Sequence, residues 1–382
     1  MAADPVALAK RLIAAPSVTP DDKGAIAILA GALEALGFRC ETVEFSESGT
    51  APILNLYARL GGAGRNFCFA GHTDVVPPGD IAAWSVDPFT GAIKGGMLYG
   101  RGAADMKSAL AAMVAACARF LDTRGRNFGG SLSFLVTGDE EADAINGTRK
   151  LLDWLAQKGE RLDACVVGEP TSAEAFGDMV KIGRRGSLNG FLTVHGVQGH
   201  TAYPDLADNA AHRLVAMLAA LTATPLDEGT EHFPPSNLQI STIDIANRAT
   251  NVIPATARAV FNVRFNDRWT SATVERWARQ ILDKAGGRYE LQIKVSGESF
   301  LVPPGEVSQI LAAAIEDVLG RKPVLSTTGG TSDARFIHRA CPVAEFGLLN
   351  ATAHKVDEHV PCSEIEQLAA IYHNALERFF AR

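Results

Sequence analysis

The chain of 382 residues is 47% hydrophobic and 21% charged, with 36 basic against 43 acidic side chains and a formal net charge of −7. This composition excludes a disordered or fibrous chain, and the length calls for two or three domains rather than one small binding module. The four Trp and five Tyr lie outside any basic run, so neither a nucleic-acid footprint nor a polybasic membrane patch is visible and a small-molecule partner is expected.

Asp4-Pro5 reads as an N-cap and first helical position ahead of Val6, Leu8, Leu12 and Ile13, not as a signal segment. With no apolar run of about 18 residues, a cytoplasmic protein is expected. Apolar residues at helical spacing from Ile26 to Leu36, stopped by Gly37, predict an amphipathic helix. The runs Phe67 to Ala70, Leu132 to Val136, Ala164 to Val167 and Val343 to Leu349 predict buried strands, and helical segments at Met106 to Leu121 and Leu151 to Leu155 alternate with the first three. Such alternation gives an α/β sheet with several parallel strands.

At IGRRGSLNG the texture changes to Arg and Gly, followed by the alternating FLTVHG. A helix at Asn209 to Leu221, strands at Asn237 to Ile245 and Ala257 to Arg264, a helix at Thr273 to Lys284 and a strand at Glu290 to Val295 complete a β-α-β-β-α-β order. After Gly297 the first texture returns, with a helix at Val307 to Leu319. The second domain is therefore an insertion, giving a division into 1–182, 183–296 and 297–382. The cysteines, Cys40, Cys68, Cys117, Cys165, Cys341 and Cys362, are scattered without a CxxC pair, which excludes a zinc-finger or disulfide scaffold.

Polar clusters follow the four strand-like runs directly: His72 and Asp74, then Glu140 and Glu141, then Glu169, and finally His354. Asp105 stands in the Gly-rich YGRGAADMK. Ligands bind beyond the carboxyl ends of the strands in open α/β sheets. Any one of these residues alone is more often a solvated loop residue or a helix cap. Concentrated at four strand ends and one connecting loop, two imidazoles and several carboxylates point to a metal site.

GHTDVVP, YGRGAADMK, TGDEEA, GEPT, GGTSD and NATAHKVDE together resemble the co-catalytic zinc aminoacylase and carboxypeptidase family over nearly the whole chain. RRGSLNG, QGHTAYP, NVIPA and TGGTSDARFI are similar to the branch that acts on N-succinylated diamino diacids. The resemblance implies a zinc-peptidase-like catalytic domain with a mostly parallel mixed sheet. It also implies an inserted, smaller α+β (ferredoxin-like) dimerisation domain, and hence a homodimer. Two Zn ions per subunit are implied, with cobalt able to substitute: Asp105 bridges them, His72 and Glu169 complete one site, and Glu141 and His354 the other. Two dications, three carboxylates and one hydroxide then sum to zero charge, which limits the cost of burial.

By the same resemblance Glu140 is the general base. Asp74, two residues beyond His72 in an extended segment, is expected to accept a hydrogen bond from its ring. The substrate presents three carboxylates and one ammonium, for which Arg184 and Arg264 are the leading cationic partners, whereas Arg185 reads as a solvated neighbour. Ser187, Tyr203, Asn251, Gly330, Thr331 and Asn350 match further substrate-contacting positions, although Thr250 stands before Asn251 where close relatives often carry Asn. His200 matches a histidine that reaches the partner subunit's site. The implied activity is cleavage of N-succinyl-LL-2,6-diaminopimelate to succinate and LL-2,6-diaminopimelate in lysine and diaminopimelate biosynthesis. An acetylornithine deacetylase or dipeptidase activity within the same family stays open.

Overall fold

A computed structural model describes residues 4–381. The chain divides into two compact units: Met1–Ile182 with Val302–Ser326 and Ser332–Arg382, and Gly183–Leu301 with Thr327–Thr331.

The first unit is built on one mixed sheet. Its eight strands run in the order Arg39–Phe45, Ile53–Gly61, Ser131–Thr137, Asn66–His72, Ala164–Val167, Val343–Glu345, Met179–Lys181 and Val324–Ser326. Asn66–His72 pairs in parallel with Ser131–Thr137 and with Ala164–Val167, which pairs in parallel with Val343–Glu345. Every residue of Asn66–His72 and Ser131–Thr137 is buried, the mark of strands covered on both faces.

The helix Ala25–Ala35 ends before Gly37 (φ 92°), and Asp4 caps Pro5–Ile13 by accepting from Ala7 N at 2.9 Å. The segment expected as one helix from Met106 begins instead at Ser108 and runs to Arg124. Asp105 (φ −125°, ψ 99°) and Met106 (φ −131°, ψ 28°) lie outside helical geometry. The apolar run at Val343 is a strand only to Glu345, and Phe346 to Leu348 continue as buried, non-ladder backbone. A Cβ on Gly347 would lie 2.4 Å from the carbonyl oxygen of Gly168 and 2.5 Å from that of Glu169, so only glycine allows this close passage. Among the described residues, no helix is long and apolar enough to cross a membrane.

The second unit has a four-stranded antiparallel sheet in the order Asn237–Asp244, Thr256–Phe265, Gly186–His195 and Arg288–Gly297. The helices Ala210–Ala223 and Ser271–Ala285 cover one face. Strand alternation sends Leu188, Leu192, Val194, Ala259, Phe261, Val263 and Phe265 into a core with Leu214, Met217, Val274 and Leu282. The intervening residues, among them Ser187, Asn262 and Arg264, lie on the opposite face.

Candidate metal centre

The six acidic and imidazole residues singled out at strand ends, and Asp105 in its connecting loop, belong to the first unit. His72 ends Asn66–His72, Glu140 and Glu141 follow Ser131–Thr137, Glu169 follows Ala164–Val167, and His354 lies beyond Val343–Glu345. Parallel pairing brings the first three of these strand ends together. Glycines precede His72 and Glu169 because the side chain of Met106 packs there: its Cε would lie 2.2 Å from a Cβ on Gly71 and 2.7 Å from one on Gly168.

Asp105 stands at the middle. Its Oδ1 is 3.2 Å from Nε2 of His72 and its Oδ2 is 3.2 Å from Nε2 of His354. Glu169 Oε1 lies 3.7 Å from the same His72 nitrogen, and Glu141 Oε1 lies 2.9 Å from the His354 nitrogen. Donor atoms of His72, Asp105 and Glu141 lie within 4.8 Å of one another, as do those of His72, Glu140 and Glu169.

The electrostatics are those of a crowded acidic site. Burial opposes ionisation of Asp105, yet bonds to His354 and His72 hold it below the ordinary carboxylate range. His354 is pushed up to about 10 by Asp105 and Glu141. Burial, followed by the charges of Asp105 and Glu140, drives Glu169 well above the usual carboxylate value. Burial does the same to Glu140, with His72 opposing and Asp333 and Glu141 adding to it.

The residues fit a metal. Glu169 Oε1 is buried without a hydrogen-bond partner, an acceptor whose desolvation is costly unless a cation answers it. The donors are imidazole nitrogens and carboxylate oxygens, a set that suits zinc and other divalent ions.

Asp74 takes a different partner from the one expected. His72 Nδ1 lies 2.9 Å from the backbone oxygen of Asp74 and 3.5 Å from its Oδ1. The Asp74 carboxylate instead accepts from the backbone N–H groups of Glu140 and Glu141, through Oδ2 at 3.1 and 3.0 Å, and from Thr19 Oγ1 at 2.7 Å. It therefore fixes the backbone that carries both glutamates.

Sequence reasoning missed a second device. Glu358, fully buried, accepts through Oε1 from Ala104 N at 2.8 Å and Asp105 N at 3.1 Å, and through Oε2 from Arg101 Nη1 at 2.6 Å. Arg101 also donates to the carbonyls of Pro77, His354 and Lys355 at 3.3 to 3.4 Å. One ion pair thus joins the loop of Asp105 to the loop of His354, itself at φ 62°. Both residues stand in quoted motifs, YGRGAADMK and NATAHKVDE, but nothing in either pairs them.

The remaining residues named from sequence lie mainly in the second unit. Arg184 is 7% exposed, pairs its strand with Phe300, and places Nη1 2.7 Å from where a Cβ on Gly329 would stand. Gly330 and Thr331 follow in the same unit. Ser187 faces Arg264 across the strand pair, and Asn262 links them by donating to Ser187 Oγ at 3.3 Å and accepting from Arg264 Nε at 3.1 Å. His200 and Tyr203 are exposed with rings 5.6 Å apart, and Thr201 N donates to Asn251 O at 3.1 Å, so these three share one edge. Asn350 is exposed in the first unit, its N–H bonded to Ser172 O.

The sequence profile of peptidase family M20/M25/M40 matches residues 68–378. A succinyl-diaminopimelate desuccinylase from Rhodospirillum centenum is 58% identical over 381 residues, covering 100% of this chain and 98% of its own. Another protein of that name, from Parvibaculum lavamentivorans, is 57% identical over 99% of this chain and 96% of its own. Among solved structures, an M20 family metallo-carboxypeptidase from Sulfolobus solfataricus superposes with a TM-score of 0.79 at 16% identity, covering 99% of this chain and 100% of that one.

Proposed function

The chain belongs to peptidase family M20/M25/M40, and on that premise we propose that it hydrolyses the amide of N-succinyl-LL-2,6-diaminopimelate to succinate and LL-2,6-diaminopimelate. The observation that carries the reading is Asp105, which turns one carboxylate oxygen to His72 and the other to His354. Asp105, His72 and Glu169 would hold one divalent ion, and Asp105, Glu141 and His354 a second, with zinc the proposed metal. Such ions supply Lewis acidity, which polarises an amide carbonyl and lowers the pKa of water to about 7.

The chain's own residues supply the rest. Glu140, beside the ligand Glu141, takes the proton of the attacking water and passes it to the departing amine nitrogen. Its place depends on Asp74, which grips the backbone N–H groups of Glu140 and Glu141. No side-chain nucleophile is needed. Arg184, Ser187, Tyr203, Asn251, Arg264, Gly330, Thr331 and Asn350 are assigned to the substrate, and His200 to the partner subunit's site in a homodimer formed by the inserted segment 183–296.

The names of the relatives support the succinyl substrate, and with it a cytoplasmic enzyme of lysine and diaminopimelate biosynthesis. The test is hydrolysis by the metal-free chain with and without zinc, with N-succinyl-LL-2,6-diaminopimelate, N-acetylornithine and a dipeptide in parallel. Zinc-dependent turnover that favours the first is expected. Preference for either of the others overturns the substrate assignment, and undiminished turnover without metal overturns the metal's role.

A further inference from the structure

The segment 15–19, which follows the helix Pro5–Ile13, supplies none of the proposed ligands, yet it is fastened to two of the site's motifs. Ser17 Oγ donates to the carbonyl of Thr73 at 2.6 Å, Val75 N donates to Ser17 O at 3.0 Å, and Thr19 N donates to Val75 O at 3.3 Å. From the motif of Asp105, the fully buried Lys107 donates through Nζ to Ala15 O at 2.8 Å. The backbone of Thr19 is therefore fixed against the residue that follows Asp74.

From that backbone Thr19 turns its hydroxyl to the Asp74 carboxylate, with Oγ1 2.7 Å from Oδ2, the distance of a hydroxyl bonded to a charged acceptor. The same oxygen accepts from Glu140 N at 3.1 Å and Glu141 N at 3.0 Å. Oδ1 lies on the side of His72, 3.5 Å from its Nδ1 and 3.3 Å from Glu140 N. Asp74 is buried, so its acceptors are satisfied by the protein. The last side-chain torsion of an aspartate is broad, and two N–H groups from one loop leave the carboxylate room to swing. A third donor, held on a different segment and aimed at the same oxygen, fixes which oxygen faces the loop of Glu140 and Glu141.

We propose that Thr19 is a positioning residue for Glu140 and Glu141. Its hydroxyl sets the orientation of the Asp74 carboxylate, and through it the backbone of the proton acceptor and of a metal ligand. This rests on the proposed amide hydrolysis for what the two glutamates do; the positioning itself rests on hydrogen bonds within the first unit.

The test compares the full chain as wild type, Thr19→Val, Thr19→Ala and Thr19→Ser. Amide hydrogen exchange is read residue by residue in the metal-free chains, followed by calorimetric binding of zinc and steady-state kinetics with N-succinyl-LL-2,6-diaminopimelate. Thr19→Val is expected to speed exchange at the Glu140 and Glu141 N–H groups about tenfold, the lower end for one hydrogen bond to a charged group. Exchange in the strand Ala164–Val167 should stay unchanged. Zinc affinity and kcat should each fall about tenfold, the lower end for a change behind a metal ligand, with KM within about twofold. Thr19→Ala removes the same hydroxyl without adding bulk; it should follow Thr19→Val, and it decides the matter if the valine chain fails to fold. Thr19→Ser keeps the donor and should stay within about threefold of wild type in every readout.

Unchanged exchange at Glu140 and Glu141 in both hydroxyl-free variants overturns the positioning role. So does equal acceleration in Ala164–Val167, which marks a merely structural loss, or a serine variant as impaired as the valine one. Faster exchange with zinc affinity and kcat both unchanged, in a wild type that turns over, overturns it too. A wild type that neither binds zinc nor hydrolyses the substrate removes the hydrolase reading, and exchange in the metal-free chains still decides on Thr19.

Discussion

Arg101→Met removes the cation of the buried pair with Glu358 and keeps an apolar side chain of similar reach. Arg101 is 2% exposed and Glu358 fully buried, so the carboxylate left behind has no access to water. Breaking a buried pair from one side costs about 3 to 5 kcal/mol. The backbone N–H groups of Ala104 and Asp105 still hold Glu358 Oε1, which places the expected loss near the lower end, about 3 kcal/mol. The loss depends on pH. Burial already raises the proton affinity of Glu358 while Arg101 restrains it, and without Arg101 that affinity rises further. The folded variant then binds more protons than the unfolded chain from the ordinary carboxylate range upward, so its stability falls as pH rises through that window. Urea unfolding of the metal-free chain at pH 5 and pH 8 measures both effects. A larger deficit at pH 8 is expected; a loss below about 1 kcal/mol at pH 8, less than a buried pair is worth, refutes the role given to the pair.

Glu140→Gln should keep the fold and two equivalents of zinc while losing about 10²-fold or more of turnover; a loss under about tenfold with zinc retained shows that Glu140 is not the base. Asp105→Ala should lower zinc content, by elemental analysis, more than replacing any other single ligand, and two full equivalents in that variant rule out bridging. Glu140→Ala and His200→Ala chains, unfolded and refolded together, should regain about a quarter of wild-type activity, because random pairing makes about half of the dimers mixed with one working site in each. No recovery with mixed dimers present excludes His200 from acting across a dimer.

Periodicity made the central strands legible, since Ala164–Val167 and Asn66–His72 are short, wholly buried apolar runs. The run at Val343 misled beyond Glu345 because an apolar pattern reports burial, and buried backbone need not join a ladder. The helix expected from Met106 starts later because Asp105 and Met106 take non-helical angles, and the Asp105 carboxylate stands between two imidazoles. Alternation predicts which side Asp74 shares with His72 but not what its carboxylate meets, and the backbone of Glu140 and Glu141 arrives from another strand. Arg101 and Glu358 are 257 residues apart, so no local pattern joins them.

The strand Val343–Glu345 lies inside the first unit's sheet, between Ala164–Val167 and Met179–Lys181. On a ribosome this ordering sets a schedule. The whole of Gly183–Leu301, with its own core, emerges before the strand that fills the gap. Until then the edge of Ala164–Val167 is an open template for pairing with another chain. His354 and Glu358 emerge later still, so a nascent chain holds Asp105 without one of its two imidazoles and without the carboxylate that binds its backbone N–H. A metal ion would meet the full proposed ligand set only after the sheet has received its interior strand, which would tie loading by chain order to the last steps of folding.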